Sequence, residues 1–132
     1  MTESPPRSEG IAAHADTRGL GQDGEARAAR HLEECGLAIV ARNWRCRLGE
    51  LDLVARAGGV LVVVEVRRRS RGDFGGAAAS ITPAKRRRIV NATRHLLMRH
   101  PELQRLPVRF DVIALDGPDG RIEWIRAAFD AD

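Results

Sequence analysis

Two carboxylates and an arginine offer this chain's clearest chemistry. Asp52 lies in Gly-Glu-Leu-Asp-Leu-Val (49–54), and Glu65 and Arg67 lie in Val-Val-Glu-Val-Arg (63–67). Between them Gly58-Gly59 is flanked by β-branched and aliphatic residues, and a Gly-Gly pair supplies the positive φ angles of a tight hairpin turn. A two-residue turn sets Ala57 opposite Val60, so Asp52 faces Glu65 and Glu50 faces Arg67. Facing residues share one side of a sheet, as do residues two apart along a strand. Glu50, Asp52, Glu65 and Arg67 therefore form one charged patch. Leu51, Leu53, Ala55, Val62, Val64 and Val66 make the opposite, core face.

Carboxylates set across a strand pair repel by roughly 0.2–1 kcal/mol, and the repulsion raises the pKa of at least one of them. Either arginines (Arg45, Arg56, Arg67) or a shared cation must compensate. Cross-strand Cβ atoms lie about 4.5–5.5 Å apart, which lets both acids reach one Mg²⁺ with oxygens at about 2.1 Å. A solvated hairpin with paired charges is the plainer explanation. Val54, Leu61 and Val63 fall on the same side as the acids, however, and predict a partly covered cleft.

The elements that must position these residues follow from periodicity. Residues 1 to about 17 are polar without apolar period and read as a disordered tail; residues 18–132 read as one domain. A first helix spans about Arg18–Cys35, with Ala26, Ala29, Leu32 and Cys35 as its packed face and Gly36 as its stop. Glu25 falls at the edge of that face, toward solvent. Leu37–Arg47 reads as a strand, with Trp44 as a core or edge anchor. After the hairpin, Ser70–Ile81 is a glycine-rich, flexible loop. Thr82-Pro83 then opens a second helix as N-cap and first helical residue. Ile89, Ala92, Leu96 and Leu97 give that helix its packed face. Strands at Pro107–Leu115 and Arg121–Arg126 complete an α-β-β-β-α-β-β order, an α/β sandwich with a mixed central sheet. Asp111, inside an apolar strand, reads as a structural acid paired with Arg109 or a helix arginine.

Charge is unevenly spread. The net charge is +4, yet Glu65–Arg99 holds ten lysines and arginines against two acids, which leaves the rest of the chain net negative. Basic residues beside a carboxylate pair point to a polyanionic partner, since phosphate contacts supply most non-specific affinity for nucleic acid. Lys85 is the only lysine in the chain. Cys35 and Cys46 have no metal-ligand spacing and read as buried free thiols, in keeping with a reducing cytoplasm. No apolar run is long enough to cross a membrane and no apolar signal core opens the chain, so the expected location is cytoplasmic.

An acid on one strand followed by acid-X-lysine on the next is the metal-binding pattern of the PD-(D/E)XK nuclease superfamily, which Asp52 and Glu65-Val66-Arg67 resemble. Gly24-Glu25, Asn43-Trp44-Arg45, Gly49-Glu50-Leu51-Asp52-Leu53, Val64-Glu65-Val66-Arg67 and Arg109-Phe110-Asp111-Val112 together resemble the bacterial YraN family. The likeness spans about residues 18–129. It implies a restriction-endonuclease-like core similar to archaeal Holliday-junction resolvases. It also implies a Mg²⁺- or Mn²⁺-dependent endonuclease acting on DNA at branched or damaged structures, and it raises a homodimer. Carried over, Glu25, Asp52 and Glu65 hold the metal, which moves Glu25 from solvent into the cleft, and the carbonyl of Val66 is a further candidate ligand. The superfamily lysine falls at Arg67, which cannot lose its proton. Lys85, on the second helix, is the amine that could take its place. Arg68, Arg69, Arg71, Arg86, Arg87 and Arg88 would grip the DNA backbone. The alternative is a nucleic-acid-binding module that keeps the fold without the chemistry.

Overall fold

The computed structural model describes residues 21–68, 76–116 and 120–131. The expected tail, the first residues of the expected first helix, and Arg69 and Arg71 lie outside them. Within them the chain runs α1 (Gly21–Glu34), β1 (Ala38–Cys46), β2 (Gly49–Ala57), β3 (Val60–Arg68), α2 (Gly76–Ala79), α3 (Pro83–Arg99), a 3-10 turn (Pro101–Leu103), β4 (Val108–Leu115) and β5 (Ile122–Phe129). The five strands form one sheet in sequence order. β3 and β4 are parallel and every other neighbouring pair is antiparallel. Joining parallel neighbours needs a long crossover, which α3 provides. The mixed α/β sandwich expected from periodicity is therefore the observed architecture, with α2 added.

Gly58-Gly59 closes the β2–β3 hairpin as expected. Ala57 pairs with Val60 and the register continues to Leu53↔Val64. Gly58 takes φ +58°, a region that costs a side chain free energy but not glycine. Both faces of the sheet are covered. On one, Ala28, Ala29 and Leu32 of α1 pack against Leu53, Ala55, Val62, Val64 and Val66. On the other, Ile89, Ala92 and Leu96 of α3, with Ala77 and Ile81 near α2, pack against Val54, Leu61 and Val63. Glu65, which meets Lys85 of α3, shares its side of the sheet with Leu61 and Val63 beneath that helix.

Four expectations are corrected. Leu51 packs with Trp44 and Val54 on the α3 side, not with Leu53. Regular pleating fails here because Asn43, between the pairs Arg42↔Leu53 and Trp44↔Leu51, takes φ +50°, a conformation that asparagine tolerates better than most residues. The buried face of α1 is Glu25, Ala28, Ala29 and Leu32, while Ala26 is half-buried and Cys35 exposed. That set has regular three- and four-residue spacing, one step round from the expected face. Cys35 and Cys46 are free, but neither is buried. Finally, part of the glycine-rich stretch forms the helical turn α2, with Ser80 Oγ donating to the Ala77 carbonyl at 2.6 Å.

Two expectations hold in detail. Thr82 caps α3, its Oγ1 accepting from the Lys85 amide at 3.1 Å, and Pro83 follows as the first helical residue. Asp111 is fully buried and saturated. Arg109 donates to both of its oxygens at 2.9 Å, Trp124 Nε1 donates at 2.8 Å and the Ala127 amide at 2.9 Å. This carboxylate fastens the end of β5 to β4, where Ala127 has φ +52°.

Candidate functional site

Asp52 and Glu65 are 5 % and 7 % exposed, although each carries an ionisable group on an inner strand of the sheet. Burying carboxylates is costly unless they are bonded or neutralised. Asp52 Oδ2 accepts the amide of Val66 at 2.9 Å, which anchors it to β3 just past the last paired residues of the hairpin. Burial first, then the charge of Asp52, lifts the Glu65 pKa to about 8. Burial and a neighbouring like charge both disfavour the ionised form, which is the direction of this shift.

Two cations converge on the same oxygen. Lys85 Nζ lies 3.6 Å and Arg67 Nη1 lies 3.8 Å from Glu65 Oε2. Both lower the Glu65 pKa without offsetting burial. Their side chains are about one-third exposed, so solvent screens them. Neither distance is that of a direct hydrogen bond. Lys85 reaches this point because Thr82 starts α3 beside the sheet and Lys85 falls in its first turn, on the side toward β3. The sole lysine among 22 lysine and arginine residues stands against the buried acid pair.

The remaining sequence-selected residues occupy varied surroundings. Glu50 pairs with Arg45 at 3.1 Å through the β1–β2 register; the expected pairing with Arg67 would need the β2–β3 ladder to extend beyond Leu53↔Val64. Glu25 is buried at 4 % exposure, with its Oε1 fully enclosed, so it is not a solvent residue. Among the described residues no group of three His, Cys, Asp or Glu side chains is placed to hold a metal. Arg86 departs from its expected role. It donates to the carbonyls of Ile81 at 3.1 Å and Ala78 at 3.2 Å, and its guanidinium lies 5.3 Å from the Phe129 ring centroid. Arg86 thereby ties the end of α2 and the residue before the Thr82 cap to α3. Arg68, Arg87 and Arg88 are exposed. Trp44 is buried against His95, ring centroids 5.8 Å apart, the anchor expected.

The β1–β2 turn is a further neighbour of Lys85. Arg45, Arg47 and Leu48 line a groove with Lys85 and Arg88. Only the tertiary approach of α3 to Gly49 makes that neighbourhood, and no local motif signals it.

Against known families, residues 24–115 match the model described as uncharacterised protein family UPF0102. The chain belongs to UPF0102. The relatives agree along nearly the whole chain. A UPF0102 protein of Dechloromonas aromatica (strain RCB) is 52 % identical over 122 residues, covering 92 % of this chain and 98 % of that protein. One from Legionella pneumophila subsp. pneumophila (strain Philadelphia 1) is 47 % identical over 115 residues, covering 87 % and 98 %. One from Cupriavidus taiwanensis is 59 % identical over 114 residues, covering 85 % and 83 %. The UPF0102 match begins at Gly24-Glu25 and ends at Leu115, and so takes in Asp52, Glu65, Arg67 and Lys85. Among the described residues no helix is long and apolar enough to cross a membrane.

Proposed function

We propose that this UPF0102 protein is a metal-dependent endonuclease that hydrolyses DNA phosphodiester bonds at branched or damaged structures, and that its sheet and flanking helices are a restriction-endonuclease-like core. The observation that carries this reading is the buried Asp52–Glu65 pair with Lys85 and Arg67 both directed at Glu65. Paired acids under two cations suit a reaction in which charge builds up on a phosphate.

The donor set fits Mg²⁺ or Mn²⁺. Mg²⁺ takes hard oxygen ligands and is commonly bound by one or two carboxylates plus water and substrate phosphate, which Asp52 and Glu65 can provide once Glu65 loses its proton. Glu25 belongs to the proposed ligand set through the resemblance alone. When bound, such a cation neutralises phosphate charge and lowers the pKa of water. The chain's own groups do the rest. The Val66 amide fixes the orientation of Asp52. Arg67, always charged, stabilises the negative charge that grows on phosphate oxygens in the transition state. Lys85 can do so too, and it is the cation at this site able to give up a proton, so it can protonate the leaving oxygen. Arg68, Arg87 and Arg88, with Arg69 and Arg71 outside the described residues, supply phosphate contacts; Arg86 does not.

A nucleic-acid-binding module without catalysis is the second reading, and the arginine at position 67 is the feature that favours it. One experiment separates the two: labelled single-stranded, duplex, flap and four-way-junction DNA incubated with Mg²⁺ or Mn²⁺. Cutting that disappears in both Asp52→Ala and Glu65→Ala supports hydrolysis. Binding without cutting supports the second reading, and cutting that survives both substitutions removes this site from consideration.

A further inference from the structure

The β1–β2 turn and the first turns of α3 enclose a groove of about 460 Å³. Arg45 and Arg47 stand on one wall, Lys85 and Arg88 on the other, and Glu50, 3.1 Å from Arg45, is the sole carboxylate among its described lining residues. The backbone fixes the approach of the two walls. A Cβ at Gly49 would meet the Arg88 carbonyl oxygen at 3.0 Å, so turn and helix are in contact at that point. Lys85 is shared, because it lines the groove and also stands 3.6 Å from Glu65.

Four cations facing one acid across a concave surface focus positive potential. Among its described residues the lining has no aromatic ring to grip a free base or a small metabolite. A line of cations suits a ligand with charge repeated along its length. We infer that this groove binds the sugar–phosphate backbone of a nucleic acid and leads it to the acid pair. The β1–β2 turn is thereby a contact element outside the arginine-rich 65–99 stretch. The inference rests on the proposed function for what lies at the groove's end, but binding does not require cleavage.

The test is fluorescence-anisotropy titration of short labelled DNA, single-stranded and duplex, across a salt series with metal chelated. Wild type is compared with the Arg47→Ala/Arg88→Ala double variant and with Arg99→Ala/Arg105→Ala, which removes the same charge at and beyond the far end of α3. All four arginines are exposed, and Arg47→Ala alone is carried as a milder variant. For a DNA form that binds, the groove pair should lower the slope of log affinity against log salt by about 2 and Arg47→Ala by about 1, since each phosphate contact contributes roughly 0.7–0.9. The remote pair should change it by less than half as much. Equal losses from the two pairs, or no binding of either DNA form, overturn the inference. Adding Mg²⁺ separates it from the nuclease reading. Cutting by wild type with groove-independent affinity leaves the nuclease and removes the groove. Groove-dependent binding without cutting does the reverse.

Discussion

Glu65 holds its proton far beyond the usual carboxylate range, and stability must then depend on pH. In the unfolded chain it ionises near 4.5; in the folded one it ionises near 8. Between those values the folded state binds the extra proton, so its contribution to stability is complete below pH 4.5 and is lost as pH rises to 8. Urea unfolding across that window should show stability falling by an amount on the order of a few kcal/mol. Glu65→Gln, which keeps the shape and removes the titration, should flatten the fall; an unchanged slope would show that Glu65 is not its source. At the neighbouring position, the proposed nuclease activity should fall by about 10²–10³-fold in Lys85→Met, the usual cost of losing one transition-state donor. Lys85→Arg tells charge from proton transfer: activity near wild type means that charge suffices. Asp111 makes a contrasting case. Asp111→Ala strands Arg109, the indole of Trp124 and the Ala127 amide together, and should cost roughly 3–5 kcal/mol in denaturant unfolding while leaving DNA affinity unaltered.

At the scale of elements, what the sequence revealed depended on how local the cause was. The β2–β3 register was legible because Gly58-Gly59 dictates a two-residue turn, and the start of α3 because Thr82-Pro83 is a local capping signal. The side on which Leu51 packs was not legible, since it turns on one left-handed residue, Asn43, in the neighbouring strand. The face of α1 was displaced because small alanines carry little periodic contrast, and burial of Glu25 became legible only through the family resemblance. Arg86 looked like its neighbours Arg87 and Arg88; what distinguishes it is its bonds to the Ala78 and Ile81 carbonyls. Arg86→Ala should therefore lower stability by about 1–3 kcal/mol, chiefly through the Ile81 carbonyl, since the Ala78 carbonyl also accepts the Ile81 amide, measured by thermal melting. Arg87→Ala should leave the melting temperature nearly unchanged. Equal effects would deny Arg86 its structural role.

For the molecule as a whole, β3 is the middle strand of five, buried on both faces, and it carries Glu65. Its parallel partner β4 arrives only after the α2–α3 crossover, a non-local pairing of the kind that slows folding. Amide exchange should be slowest along Leu61–Val66 and faster in the edge strands β1 and β5, because opening free energies rise toward the fully packed centre. Faster exchange in β3 than in β5 would contradict the layer arrangement. Glu65 and Arg67 therefore stand on the strand expected to open last, while Lys85 is contributed by α3.

One consequence lies in the lysine count. Because Lys85 supplies the chain's one ε-amine, an amine-selective acylating reagent becomes a probe directed at the neighbourhood of Glu65. Its labelling rate would report occupancy of that place in the native protein. A divalent ion or a polyanion settled there should shield the amine, and mass spectrometry of a single peptide would record the protection without any change to the gene.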